Sequence, residues 1–161
     1  MKFVKESIIH ATPERVFAFH LQADALRRLT PSWERSQLIS QGLISEPGSR
    51  TIIKACVLWP FSFRWIAEHT AYDPPRMFED VQIAGPFRCW RHRHLIEPHS
   101  DGAILRDEID YEPPLGFLGR TAAPLLVEPR LRKLFAYRHQ VTAEWCERKT
   151  EDERVRIKDQ C

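Results

Sequence analysis

No run of apolar residues in this chain approaches the length needed to span a bilayer. Its start, MKFVKESIIH, is broken by Lys2, Lys5 and Glu6, so neither a signal peptide nor membrane insertion is expected. Glycine is sparse at six residues, and none falls in a GxGxxG or GxxxxGK[ST] pattern. A nucleotide cradled by such a loop is therefore not indicated. No serine sits in a GxSxG elbow, which leaves nucleophilic catalysis with little support. Cys56, Cys89, Cys146 and Cys161 are widely spaced with no CxxC. They fit reduced thiols in a cytoplasmic protein, with Cys56 and Cys89 read as small buried apolar residues. Charge of one sign is lacking too: the net value is +2, too small to imply nucleic acid. The Arg130, Arg132, Lys133 group reads as a solvated helix face. Neither repeats nor low-complexity segments are visible.

What is present suits one domain with its own core: 161 residues, 43% hydrophobic and 29% charged. Residues Lys2 to Ile9 read as a strand. Thr12-Pro13-Glu14 starts a short helix, with Thr12 as N-cap, Pro13 at the first helical position and Val16, Phe17 and Phe19 as its apolar face. A second short helix around Ala23 to Leu29 stops at Thr30-Pro31. Strands follow at Leu38 to Leu43, Thr51 to Leu58 (broken by Trp59-Pro60), Phe61 to Tyr72 and Met77 to Ala84. Along Phe61 to Tyr72 the alternation places Phe63, Trp65, Ala67, His69 and Ala71 on one face.

The most informative stretch is GPFRCWRHRHLIEPHSDGAILRDEIDYEPPLG, from Gly85 to Gly116. It reads as two strands around a turn at Ser100-Asp101-Gly102. Trp90, His92, His94 and Ile96 share one face of the first strand. Ala103, Leu105, Asp107, Ile109 and Tyr111 share one face of the second. Two His, one Asp and aromatic rings turned to the same interior suggest a pocket rather than a plain core. If Asp107 lies near His92, the carboxylate can fix the imidazole tautomer and raise its basicity, as a general base requires. The preferred reading of that pair is a structural hydrogen bond in a half-buried sheet. His92-x-His94 with His69 or Asp107 could supply metal ligands, but nothing further converges on them, and neither metal nor cofactor is expected. His10, His20 and His99 are read as surface residues.

After Tyr111, Pro113, Pro114, Gly116 and Gly119 make a bend, and a helical region runs to about Glu147. Pro124 and Pro129 predict a kink or two segments. Leu131, Leu134, Phe135, Arg138, Val141 and Trp145 form its apolar stripe. Arg138 on that stripe expects an inward acid, Asp107 first, with Glu108 and Asp110 also open. His139 is read as solvent-facing. Residues 148–161 are charge-rich and read as a frayed or disordered tail.

Strand, two short helices, an antiparallel meander of six or seven strands and a long C-terminal helix make an α+β layout. The segments IIHATPERVFAF, LTPSW, GPFRCWRHRH…DEIDYEPPLG and LRKLFAYRHQV resemble the SRPBCC (START-like) superfamily. Within it, the chain is most similar to small bacterial proteins labelled polyketide cyclase/dehydrase or ligand-binding SRPBCC. The resemblance covers about residues 1–147 and implies a helix-grip fold, with a curved sheet around the last helix and a cavity between them. It carries over no catalytic motif, because members include lipid carriers, hormone receptors, quinone-binding proteins and aromatase/cyclases.

The expected function is binding of a small hydrophobic or aromatic ligand, such as a lipid, quinone or polyketide-like molecule. Trp65, Trp90, Leu105, Tyr111 and Leu134 would supply apolar contact, and His69, His92, His94, Asp107 and Arg138 polar contact. The alternatives are a cyclase or dehydratase using His92 and Asp107 for proton transfer, and a protein-partner module with a vestigial cavity. Oligomeric state is left open.

Overall fold

A computed structural model describes residues 1–58 and 61–158, with backbone alone for 56–58, 61 and 149–158. The strands are β1 (Lys2–Ile9), β2 (Gln37–Ser40), β3 (Arg50–Leu58), β4 (Phe61–Asp73), β5 (Met77–Ala84), β6 (Cys89–His99) and β7 (Gly102–Glu112). The helices are α1 (Pro13–His20), α2 (Ala25–Arg28), α3 (Gly116–Leu126) and α4 (Glu128–Lys158), with a 3-10 turn at Ser32–Glu34. All seven strands form one curved antiparallel sheet in the order β1-β7-β6-β5-β4-β3-β2. Consecutive strands β2 to β7 pair as neighbours, and β1 closes the far edge against β7. This is the helix-grip architecture.

Local chemistry sets the boundaries. The Thr12 hydroxyl accepts a long hydrogen bond from the Arg15 amide (3.4 Å), and Pro13 opens α1, whose Val16, Phe17, Phe19 and His20 are buried. The β6–β7 hairpin turns at Gly102, where φ is +139° and a Cβ would collide with the Ile9 carbonyl. Only glycine fits there. In β7 burial alternates without fault: Ala103, Leu105, Asp107, Ile109 and Tyr111 are buried and the residues between them are not. In β4 the alternation shifts at a bulge between His69 and Ala71. Tyr72 consequently packs inward on Phe17, with ring centroids 5.6 Å apart, where unbroken alternation turns Ala71 inward.

The helical region is two segments, as Pro124 and Pro129 predict, but the stripe on α4 differs from the expected one. Leu131, Phe135, His139, Thr142 and Cys146 are the buried positions, while Leu134, Arg138, Val141 and Trp145 flank them half-buried. The spacing is helical in both cases. An apolar template picks the flank because the true inward line contains a histidine, a threonine and a cysteine. The α4 backbone also runs on to Lys158, where a frayed tail from Arg148 was expected; its Glu, Lys and Arg residues are good helix formers as well as charged ones. Residues 159–161 and the expected break at Trp59-Pro60 lie outside the described residues, and so does the side chain of Cys56. Cys89, expected inside, is exposed at the start of β6.

The interior divides into two apolar clusters. One gathers Ile9, Val16, Phe17, Phe19, Phe78, Ile96 and Leu105 beneath α1. The other gathers Phe3, Trp90, Ile109, Tyr111, Leu131 and Phe135, with Trp65 and Phe87 at its margin.

Candidate functional site: a carboxylate held by imidazoles

Between the two clusters lies a polar seam assembled by strand register. His94 on β6 stands opposite Asp107 on β7, and His92 opposite Asp80 on β5; Asp80 in turn faces His69 on β4. His92 and Asp107 are diagonal neighbours on the same face, a spacing long side chains bridge. The His92 Nε2–H donates to Asp107 Oδ1 at 2.8 Å, and His139 Nε2–H reaches down from α4 to donate to Oδ2 at 2.7 Å. His94 Nδ1 approaches Oδ1 to 2.6 Å. His92 Nδ1 faces Asp80 Oδ2 at 3.5 Å. His20, from the end of α1, completes the group: its Nδ1–H donates to the Val16 carbonyl at 2.9 Å, and its ring lies 5.6 Å from that of His94.

Burial alone would raise the Asp107 carboxyl. The His94 imidazole beside it and the hydrogen bonds from His139 and His92 outweigh that effect and hold it well below the usual carboxylate range. Asp107 is therefore a buried carboxylate. Asp80, with no such donor set, is pushed up by burial. Burial also lowers His69, and it lowers His94 together with the neighbouring His92. His20 falls to about 3 through burial and then His94. An ionised carboxylate can only accept, so His92 and His139 each present an Nε2–H to it and turn Nδ1 away. A neutral imidazole held in this way has the tautomer a general base needs.

On the α3 side of the seam the wall is aromatic. Trp65 and Trp90 meet edge to face at 5.0 Å, and Phe87 lies 4.9 Å from Trp90 and 5.8 Å from Tyr111. The Tyr111 hydroxyl is buried without a hydrogen-bond partner, and so are Nδ1 of His69 and of His139. Above this wall Leu115, just before α3, and Phe117, Leu118, Leu125 and Leu126 on it turn to solvent, each at least 70% exposed. Open grooves lie elsewhere among the described residues. One of about 180 Å³ sits at Leu26, Pro31, Leu38 and Ile53, and one of about 560 Å³ sits at Trp33, Leu126, Arg130 and Lys133.

Of the residues singled out from sequence, the structure brings His69, His92, His94 and Asp107 together at the seam and Trp65, Trp90 and Tyr111 at the aromatic wall. Leu105 belongs instead to the apolar cluster under α1. Leu134 packs at the edge of the aromatic cluster. Arg138 does not take the acid expected of it: its Nε–H donates to the Leu29 carbonyl at 3.2 Å and its guanidinium lies over Phe135. His139, expected in solvent, holds Asp107, and His20, expected at the surface, is buried. Asp80 was missed altogether. Phe78 and Asp80 alternate along β5 as His92 and His94 do along β6, a signal that was available.

The sequence of residues 9–138 matches the family described as polyketide cyclase / dehydrase and lipid transport. None of the curated proteins matches the chain. Among solved structures, a protein from Chromobacterium violaceum superposes with a TM-score of 0.67 at 13% identity, covering 91% of this chain and 97% of its own. A norcoclaurine synthase from Thalictrum flavum, a point mutant bound to a transition-state analogue, superposes at 0.68 and 13% identity, with 93% and 96% covered. A nucleoside-diphosphate sugar epimerase from Corynebacterium glutamicum matches at 0.65 and 23% identity over 88% of this chain, which spans only 28% of that protein. These likenesses are of fold; the match over most of the chain's own sequence places it in the polyketide cyclase / dehydrase and lipid transport family of the SRPBCC superfamily.

Proposed function

We propose that the protein binds a small apolar or aromatic molecule carrying at least one polar group, taken up between the sheet and α4 on the α3 side of the polar seam. The observation that carries this reading is the Tyr111 hydroxyl, buried and unpartnered in a wall of Trp65, Phe87 and Trp90. A buried hydroxyl left without a partner costs about 1–3 kcal/mol, and a ligand oxygen or nitrogen there would recover it. The aromatic rings now fill this space against one another, so binding parts them rather than occupying a ready void. Residues 1–147 form the binding unit in this reading. Free thiols at Cys89 and Cys146 fit a cytoplasmic setting, and no helix among the described residues is long and apolar enough to cross a membrane.

A second reading, proton transfer in a cyclase or dehydratase, is favoured by the orientation that Asp107 gives the His92 and His139 rings, each with Nδ1 turned away from the carboxylate. Mass spectrometry of small molecules extracted from natively purified protein tests both. A retained apolar compound, weakened in Tyr111→Phe and left unconverted, supports the carrier. Conversion of that compound by the wild type but not by Asp107→Asn, with affinity intact, supports the enzyme. Recovery of no compound, together with no saturable uptake of a panel of aromatic ketones and quinones, sinks both.

A further inference from the structure

We propose that Asp80, His92 and His94 form a buried binding site for a divalent transition-metal ion. One ligand atom from each of the three lies within 4.8 Å of the others. A tetrahedral ion about 2.0–2.1 Å from each nitrogen sets its ligand atoms about 3.3–3.4 Å apart, so the three side chains close around it by up to about 1.5 Å. Register makes this set a fixed feature of the sheet: Asp80 and His92 are cross-strand partners, and His94 is two residues along on the same face.

Ring orientation points the same way. With Nε2–H donated to Asp107, His92 turns Nδ1 to Asp80 Oδ2 at 3.5 Å. A ring nitrogen and a carboxylate oxygen so placed can hold a cation between them once both are deprotonated. The carboxylate of Asp107 behind His92 is the outer partner that metal-bound histidines usually have, fixing the tautomer and making the ligand more basic. Nδ1 of His69, which stands opposite Asp80 in the sheet, is also buried and has no hydrogen bond. The donor set is nitrogen and oxygen with no thiolate, which suits Zn²⁺, Co²⁺ or Fe²⁺ rather than Cu⁺. Three protein ligands leave a coordination position for water or for an oxygen of another molecule.

The test uses the full chain, stripped with a chelator and titrated with Zn²⁺ by calorimetry and with Co²⁺ by visible absorption. We expect saturable binding of a single ion, a rise in Tm on loading, loss of that binding in Asp80→Asn and His94→Gln, and affinity about 10–100-fold weaker in Asp107→Asn. Asp107 is a positioning residue here, and the metal titration reads its effect directly. Cys89→Ser, which removes an exposed thiol at the start of β6, should leave binding unchanged. Should a ligand variant fail to fold, the anomalous peak of Co²⁺ in wild-type crystals decides. A peak between the three side chains supports the site, and a peak elsewhere overturns it. Absence of saturable uptake of either ion overturns it as well, and assigns the space between Asp80 and His92 to a shared proton.

Discussion

The two ends of the interior are built to opposite standards. Under α1, Val16, Phe19, Ile96 and Leu105 are enclosed almost completely within a continuous apolar cluster. Under α3, Trp65 and Phe87 remain half-exposed, a tyrosine hydroxyl is stranded, and the covering helix displays its own apolar residues to solvent. The same sheet floors both ends. A core made for stability ends as the first does, with its surface closed and its polar groups satisfied. The second end gives up both, and the cluster around Asp107 marks where one region passes into the other. That asymmetry is why ligand binding is assigned to the α3 side.

If the contrast is real, truncation should hurt the α1 end most. Phe19→Ala should cost about 3–5 kcal/mol, the range for emptying a buried aromatic site, and Trp65→Ala clearly less. Urea unfolding of both variants measures this. Equal costs would dissolve the distinction. The same experiment tests the inward line of α4: Phe135→Ala should approach the Phe19→Ala loss, and Leu134→Ala should fall well short of it.

Acid should act through the seam. His20 is held neutral down to about 3, and His94 and His69 are shifted in the same direction. In the unfolded chain each protonates near 6.5, so below that pH the unfolded state binds more protons and stability falls as pH falls. Asp107, held below the usual carboxylate range, adds to the loss at the acid end, while the raised Asp80 works against it. His20, neutral in the folded chain down to about 3, contributes a loss of about 1.4 kcal/mol per pH unit below about 6.5, and His94 and His69 act in the same direction. Urea midpoints taken from about pH 7.5 to about pH 5 should therefore decline, and His20→Leu should flatten the decline. An unchanged slope in that variant would remove His20 from the buried group.

Quenching by acrylamide distinguishes the ends by access. With the other tryptophans replaced by Phe, Trp90 should be shielded, Trp65 partly open and Trp33 open. The smallest expected effect is at the exposed helix: Phe117→Ser should change stability by no more than about 0.5 kcal/mol while reducing binding of an apolar dye. A large loss of stability there would mean that α3 is packed rather than displayed.

Much of this could be read from the residues in order. The strands of the meander, the Thr12 cap, the paired prolines dividing the last helices and the facing of His92 and Asp107 all follow from local patterns. What escaped needed contacts across the chain. His139 looks polar and reads as solvent-facing, because an apolar template cannot know that a carboxylate waits opposite. His20 ends a short helix, where solvent is the usual neighbour, yet it lies one turn from Val16 and shares its buried face. Nothing local reveals the β4 bulge, which turns Tyr72 inward. Asp80 became meaningful only when register set it against His92.

The central claim is that ligand enters at the aromatic end and leaves the α1 end untouched. Isotope-labelled protein titrated with an apolar aromatic probe such as anilinonaphthalene sulfonate, followed by amide and aromatic chemical shifts, tests this residue by residue. The account predicts shifts at Trp65, Phe87, Trp90 and Tyr111 and none at Phe19, Phe78 or Leu105. Shifts confined to the α1 end, or to the groove at Trp33 and Lys133, would contradict it.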